Sequence, residues 1–286
     1  MPFTLSHAAA VLPAIRRSGR ARGPLVASAL VLGSFAPDAF YFADAVVGGG
    51  VMGYGDFTHG PLGVVTADAA LTAVLAACWL LLREPLAALL PASRRGRVHS
   101  FVRGEDWRGL RRPALALRFY LSAVAGSLTH VVWDAFTHMD RWGTHALPWL
   151  GRPVALGLAP YTFLQYGTSA LAACALLWFT LSGLRRIPDR PAPPSVPVLG
   201  RAERWAALLL IGGCTAAGTI LRVMRFFTFY DRIRSPLDII PTLCFGAGGG
   251  LAVGLLLYGA LVRLRHRRAR DPRRPDRETR TPVPAA

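Results

Sequence analysis

The sequence contains no lysine: each of its 33 basic residues is an arginine, against only 16 acidic residues, so the formal charge is +17. Cysteine is scarce as well, with four residues that all lie in apolar segments and form no Cys-x-x-Cys pair. This distribution argues against a disulfide framework and against a thiolate zinc site. A standard signal peptide is not expected either, because the arginines follow the first apolar stretch instead of preceding it.

Apolar residues, in contrast, make up 52% of the chain, and 29 glycines come in addition. A soluble domain has about 45–50% by a count that already includes glycine. The apolar residues are grouped into long runs, which is typical of an integral membrane protein. In such a protein the basic charge indicates arginine-rich loops that face anionic lipid head groups. We therefore expect membrane lipids as partners, and no nucleic acid.

The runs predict an all-α, polytopic helical membrane bundle with about six full spans and a short, half-embedded N-terminal helix. Residues 2–15 would reach only ~20 Å as a helix, which is less than the ~30 Å apolar core of a bilayer. The six spans are predicted at 25–47, with a break at Pro37-Asp38, and at 61–82, 113–137, 155–182, 205–221 and 237–262.

This pattern divides the chain into four parts: a motif-bearing membrane core (1–182), a loop rich in arginine and proline (183–204), two further membrane helices (205–262) and a disordered basic tail (263–286). The arginine-rich loops predict a multi-pass protein of the cell membrane with a cytoplasmic tail. The loop at 222–236 disagrees, because it carries arginines on the predicted outer side. Either the fifth segment does not span the membrane, or these arginines have partners there.

Candidate metal ligands lie four residues apart at the end of the third span: His130, Asp134 and His138. Helical steps of four place them on one stripe, and ionisable groups at membrane depth usually mark a functional site. Counting helical rise brings His7, Asp38 and His59 to a similar level near the predicted outer face. Imidazoles with carboxylates form a donor set for zinc or a similar divalent ion. The residues therefore predict a site for one or two ions.

Five motifs carry a resemblance to a known family. They are MPFTLSH at 1–7, GSFAPDAFYF at 33–42, Thr58-His59, the block GSLTHVVWDAFTH at 126–138 and LQYG at 164–167. Together they resemble an uncharacterised bacterial membrane-protein family, catalogued as domain of unknown function 4184. The motifs cover residues 1 to about 180, and the family has no established activity to carry over.

The order of the candidate ligands is also distantly similar to that of membrane-bound metal-dependent hydrolases and of zinc-dependent phospholipase C with its related single-strand nucleases. In the soluble, all-helical phospholipase fold an early His, an Asp, a His and a His-x-x-x-Asp pair bind zinc. The matching positions are His7, Asp38, His59, His130 and Asp134. The chain has no second His-x-x-x-Glu pair downstream, which departs from the full three-zinc arrangement of those enzymes.

The first functional hypothesis is a metal-dependent hydrolase that acts on a lipid or another phosphoester in the outer half of the membrane. Its cofactor would be a divalent metal ion, zinc in the first place, held by the five matched residues. Such an ion lowers the pKa of a bound water and polarises a phosphoryl or acyl oxygen. Asp134 would be a ligand or the general base, and His138 a ligand or a proton donor.

Two alternatives stay open. The chain could be a non-enzymatic membrane protein in which the polar or metal cluster holds helices together. It could also be a transporter that uses Asp38, Asp68 and Asp134 as a path for protons or cations. The sequence shows no paired broken helices or inverted repeat of the kind that transporters often display.

Overall fold

A computed structural model describes residues 3–104, 107, 111–230, 232–233 and 236–269. Within these ranges the regular secondary structure is helical, with no strand, which confirms the all-α class. Five helices are long and apolar enough to cross a membrane, and the number rises to six if a bent pair of helices is counted as one span. The chain is therefore a polytopic helical membrane bundle.

The N-terminal segment is a succession of short turns: a 3-10 turn at Thr4–His7, α1 at Ala8–Val11 and a second 3-10 turn at Leu12–Ala14. It is too short to cross a membrane, as predicted from the number of its residues. One side of it is buried, because Val11 packs in a core cluster with Ile15, Leu30 and Phe179. This anchoring brings the side chain of His7 into the interior, where it is fully buried.

The first span is a bent pair, α2 (Ala27–Gly33) and α3 (Ala39–Val47), joined through a 3-10 turn at Ala36–Asp38 with a change of direction of 41°. Pro37 lacks a backbone N–H and restricts the residue before it, so the helix cannot continue through this point. The break that the sequence predicted is thus present. It leaves the carbonyl group of Ser34 available to side chains of other helices.

The second predicted span is divided. After α4 (Gly55–Thr58), a short α5 (Pro61–Val65) is followed by α6 (Ala67–Leu89), with Thr66 in a non-helical conformation between them. The sequence predicts a loop at 83–112, between the second and third spans. This prediction was wrong in part, because α6 continues to Leu89 and α7 occupies Ala92–Arg103. Arg95 and His99 of α7 are buried, so tertiary packing stabilises a helix that its charge pattern did not predict.

The remaining helices are α8 (Arg112–Thr137), a short α9 (Trp142–Ala146), α10 (Pro160–Arg186), α11 (Arg201–Phe229) and α12 (Pro236–Ala269). The last two pack as an antiparallel hairpin in which Gly218 lies against Gly246 and Gly250. Because α12 extends to Ala269, residues 263–269 of the predicted disordered tail are helical. Residues 270–286 of that tail lie outside the described residues.

The structure gives partners to two of the arginines at 222–236. The helix runs to Phe229, so Arg222 and Arg225 belong to its last turns. Arg222 forms an ion pair of 2.5 Å with Asp44, and Arg225 donates a hydrogen bond to the Asp44 carbonyl oxygen. These two arginines therefore have partners at the end of α3, and the fifth segment is long enough to span.

Proline within α6 is accommodated by α12. Pro85 has no N–H, so the carbonyl oxygen of Leu81 loses its helical partner. The Arg263 Nε donates to this oxygen at 2.6 Å, and the Tyr258 hydroxyl donates to the Pro85 carbonyl oxygen at 2.7 Å. In an apolar environment a freed backbone group needs such a partner. The hairpin is therefore fixed to α6 by polar contacts as well as by packing.

A close approach in the core joins α2 to α8. A Cβ atom built on Gly126 would lie 2.3 Å from the Leu30 carbonyl oxygen, so only glycine permits this separation. The Ser127 hydroxyl donates to the Gly33 carbonyl oxygen, and the Val26 N–H donates to the Ser122 hydroxyl. The segment of α8 from Ser122 to Ser127 therefore lies directly against α2 and the break that follows it.

Candidate metal centre

Asp38 reaches the interior from the turn between α2 and α3. It stands at the start of α3, yet its carboxylate makes no capping hydrogen bond in the described structure. It accepts a hydrogen bond from the Thr4 hydroxyl, and its other oxygen faces two imidazoles. Because the side chain is only 2% exposed, these contacts offset the free energy of hydration that the carboxylate loses on burial.

His59 follows α4 and precedes Gly60-Pro61, where the chain must change direction. Its Nδ1 lies 2.7 Å from the Gly55 carbonyl oxygen. A carbonyl can only accept, so Nδ1 carries the hydrogen and Nε2 presents its lone pair to the interior. That Nε2 lies 3.6 Å from the Asp38 Oδ1 and 3.7 Å from the Asp134 Oδ2.

His130 and Asp134 lie one turn apart on α8, as their spacing predicted. The His130 Nδ1 pairs with the Ser34 carbonyl oxygen at 2.8 Å, which fixes the imidazole in the same tautomer as that of His59. The His130 Nε2 lies 3.3 Å from the Asp134 Oδ2 and 3.5 Å from the Asp38 Oδ1. This nitrogen has no hydrogen-bond partner among the described residues.

Asp38, His59, His130 and Asp134 thus form a buried cluster whose ligand atoms all lie within 4.8 Å of one another. Ligand atoms around a tetrahedral zinc ion are separated by roughly 3.3 Å, given Zn–N and Zn–O distances of ~2.0–2.1 Å. The separations of 3.3 to 3.7 Å between imidazole nitrogens and carboxylate oxygens are close to this value. The four residues therefore fit a zinc-like ion. We call them the four-residue cluster.

Two further imidazoles flank the other oxygen of Asp134. The Oδ1 atom lies 3.3 Å from the His7 Nε2 and 3.5 Å from the His138 Nδ1. The His7 ring stacks on the His130 ring with centroids 3.6 Å apart, and neither nitrogen of His7 has a hydrogen-bond partner among the described residues. His7 is thus brought to the cluster but is not one of its four members, and its role as a ligand stays a prediction.

His138 differs from the others in its access to the surface. Its side chain is 29% exposed, whereas that of Asp134 is 5% exposed. Burial lowers the pKa of His138 to about 4, so its imidazole is neutral at neutral pH. A neutral imidazole binds a metal ion or accepts a proton, but it does not donate one readily. Its Nε2 contacts the Gln165 amide nitrogen at 3.0 Å.

Three residues hydrogen-bond to the candidate ligands and hold them in place, and the sequence had predicted no role for them. Thr4, Ser34 and Gln165 all lie within motifs that carry the family resemblance, so the motifs already indicated that these residues matter.

Asp68, the candidate for an ion path, is fully buried in the first turn of α6 and is not a member of the four-residue cluster.

Replacing Thr4 with valine is expected to weaken zinc binding by about 10–100-fold, the usual cost of losing an outer partner of a metal ligand. The substitution removes the hydroxyl that donates to Asp38 and keeps the shape of the side chain. Competition with a fluorescent zinc chelator would measure the change. Thr228→Val is the control, because its hydroxyl bonds only to the Arg225 carbonyl oxygen on the surface. Equal zinc affinity in both variants would contradict the assignment.

The chain matches a protein-family model, which is described below. No curated protein and no solved structure matches the chain. A family model described as "Domain of unknown function (DUF4184)" matches residues 1–260, which include every residue of the four-residue cluster and both flanking histidines. The match covers most of the chain, so the protein belongs to the DUF4184 family.

Proposed function

We propose that the protein is a metal-dependent hydrolase of a membrane phosphoester, with one zinc-like ion in the four-residue cluster. The observation that carries the proposal is the convergence of four buried ligand atoms from three separate parts of the chain at metal-compatible separations. Two buried carboxylates facing imidazoles beneath a lipid-embedded surface are costly without a bound cation. Imidazole and carboxylate donors together favour zinc or a similar ion.

A bound ion of this kind supplies Lewis-acid polarisation of a phosphoryl oxygen and lowers the pKa of a water molecule. Asp134 acts as a ligand, because both of its oxygens face imidazole nitrogens. His138 acts as the proton acceptor, because its side chain stands at the most accessible edge of the cluster, 29% exposed, with Nδ1 3.5 Å from the Asp134 Oδ1. In hydrolysis the water oxygen bonds to phosphorus and its proton passes to His138. As the bond from phosphorus to the alcohol oxygen breaks, the imidazolium returns that proton to the departing alcohol.

The proposal includes an orientation in the cell membrane, with the site in the outer half and the basic tail in the cytoplasm. Arginines lie at the opposite ends of α8 and α10 from the cluster, at Arg111–Arg112 and Arg185–Arg186. Such residues are typical of cytoplasmic loops, where they meet anionic lipid head groups. Tyr54, Trp142 and Trp149 are more than half exposed near the cluster's end of the bundle, as aromatic residues at a membrane interface are.

Three variants test the proposal after purification in detergent, by elemental analysis and by hydrolysis of a panel of phospholipids. His130→Ala is expected to lose both the ion and the activity. His138→Ala is expected to keep the ion and lose about 10²–10⁴-fold in rate, as removal of a proton-transfer group does. His145→Ala is the control, since its side chain is 67% exposed. A metal-free wild type whose activity is unaffected by His130→Ala would refute the proposal.

A structural metal site is the second candidate, and the burial of all four ligands favours it. Structural zinc sites are closed by four protein ligands, whereas catalytic sites keep a position open. On this reading His130→Ala lowers the thermal stability, and no phospholipid is hydrolysed by the wild type. The effect of His138→Ala separates the two candidates, because a purely structural ion has no need of a neighbouring proton acceptor.

A further inference from the structure

An apolar groove of about 440 Å³ lies between α8 and α10 on the side of the bundle. Its α8 wall includes Val132, Trp133 and Thr137, and its α10 wall consists of Leu164 and Thr168. Val132 is 42% exposed and Leu164 is 38% exposed. Since α8 and α10 are membrane spans, the groove opens sideways toward lipid.

The inner wall of this groove is also the wall of the candidate metal centre. The Trp133 ring stands edge-on to the His7 ring, with centroids 5.6 Å apart. Its indole nitrogen donates to the Thr168 hydroxyl at 3.1 Å, so the ring is held across the groove. The Trp133 side chain thus both lines the groove and contacts the buried imidazole of His7.

The end of the groove meets the exposed edge of the centre. The Thr137 hydroxyl lies 3.4 Å from the His138 Nδ1 and 3.5 Å from the Asp134 Oδ1. On the opposite wall, Gln165 contacts His138 and directly follows the groove residue Leu164. From Thr129, which also lines the groove, to Thr137 the groove follows α8 for about 12 Å at 1.5 Å per residue.

A cation stands close to this end as well. Arg141 directly precedes α9, three residues after His138, and its guanidinium forms an ion pair of 3.6 Å with Asp56, whose side chain is 88% exposed. An ion pair with a well-hydrated carboxylate is weak, so a phosphate group would be a stronger partner for this guanidinium. Guanidinium groups match phosphate oxygens in a two-point contact.

We propose that the groove between α8 and α10 seats one acyl chain of a membrane phospholipid, with its phosphate at His138 and Arg141. The inference deepens the proposed function, on which it rests for the chemistry at the head group. The occupant follows from three features together: an apolar groove open to lipid, its direct continuity with the half-buried His138 at the edge of the centre, and an arginine at that end. A lipid enters by lateral diffusion and needs no route through water.

The proposal is tested by a substitution that fills the groove and leaves every candidate ligand unchanged. Val132→Trp places a large ring in the trough, and Leu121→Trp is the matched control, since it is 52% exposed on the same helix and lies outside the groove. Each protein is saturated with dioleoylphosphatidylglycerol, exchanged into detergent and analysed for retained lipid by mass spectrometry. Hydrolysis of that lipid and of water-soluble p-nitrophenyl phosphate is measured in parallel, together with bound zinc.

Val132→Trp is expected to lose the retained lipid and about tenfold or more of the activity on it, a usual effect of steric exclusion from an apolar pocket. Its zinc content and its activity on p-nitrophenyl phosphate should equal those of Leu121→Trp. Equal lipid retention in the two variants would overturn the groove proposal, whether or not the protein is an enzyme. A wild type that hydrolyses nothing, with lipid lost only from Val132→Trp, would reject the proposed function and support the groove.

Discussion

Replacing Asp134 with alanine is expected to abolish metal binding and to lower hydrolysis by more than the ~10–100-fold that loss of an outer partner costs. Asp134 is the residue with the most contacts to the other candidates. Its Oδ2 faces His59 and His130, and its Oδ1 faces His7 and His138. Removing it leaves four imidazoles without their shared carboxylate, so no other single change should have as large an effect on the ion.

Elemental analysis of the purified variant measures the first effect, and thermal unfolding with added zinc measures a second. An ion at a hundred times its Kd stabilises the folded state by about 2.7 kcal/mol, so the wild type should gain stability from zinc and the Asp134→Ala variant should not. Asp140→Ala controls for the loss of an acid near the same end of α8, because its side chain is 86% exposed. Wild-type metal content in the Asp134→Ala variant would refute the centre.

Much of this centre could be predicted from local spacing. His130 and Asp134 are one helical turn apart, and the third span was predicted at 113–137 against Arg112–Thr137 in the structure. The break of the first span was predicted from Pro37, because the chemistry of proline acts locally. Counting helical rise then sufficed to bring Asp38 to the level of the α8 residues, since both spans cross the same layer.

The orientation of His59 could not be predicted in this way. Its imidazole direction depends on a hydrogen bond to Gly55 within a four-residue helix, which no apolar run reveals. The helix α7 was missed for a related reason. Four of its twelve residues are arginines, and contacts such as that of the Arg95 Nε with the Leu90 carbonyl oxygen help to stabilise it.

The two arginines near the end of α11 have a local explanation in the structure. The count of arginines in each loop placed Arg222 and Arg225 on the outer side of the membrane, where arginines are less common than on the cytoplasmic side. In the structure both arginines bond to Asp44, whose side chain is 6% exposed. A buried acid requires a cation in contact with it. The local charge of the α3 end, and not the charge of the loop, therefore accounts for these two residues.

Gly126→Ala is expected to destabilise the protein by about 1–3 kcal/mol, as overpacking of a core does, and to weaken zinc binding with it. A Cβ atom at this position would lie 2.3 Å from the Leu30 carbonyl oxygen and 2.9 Å from the Ser34 backbone nitrogen. Backbone atoms cannot rotate away, so α2 has to move. That movement shifts the Ser34 carbonyl oxygen, which lies 2.8 Å from the His130 Nδ1 and fixes its ring.

Gly167→Ala is the matched control, because it lies in α10, another membrane helix, and its added Cβ would meet no atom within 4 Å. Alanine in place of an unconstrained helical glycine usually stabilises by roughly 0.5–1 kcal/mol, so the two variants should change the midpoint of thermal unfolding in opposite directions. Metal content is measured on the same samples. If Gly126→Ala were as stable and as rich in zinc as Gly167→Ala, the close contact of α2 with α8 would not be what holds His130 in place.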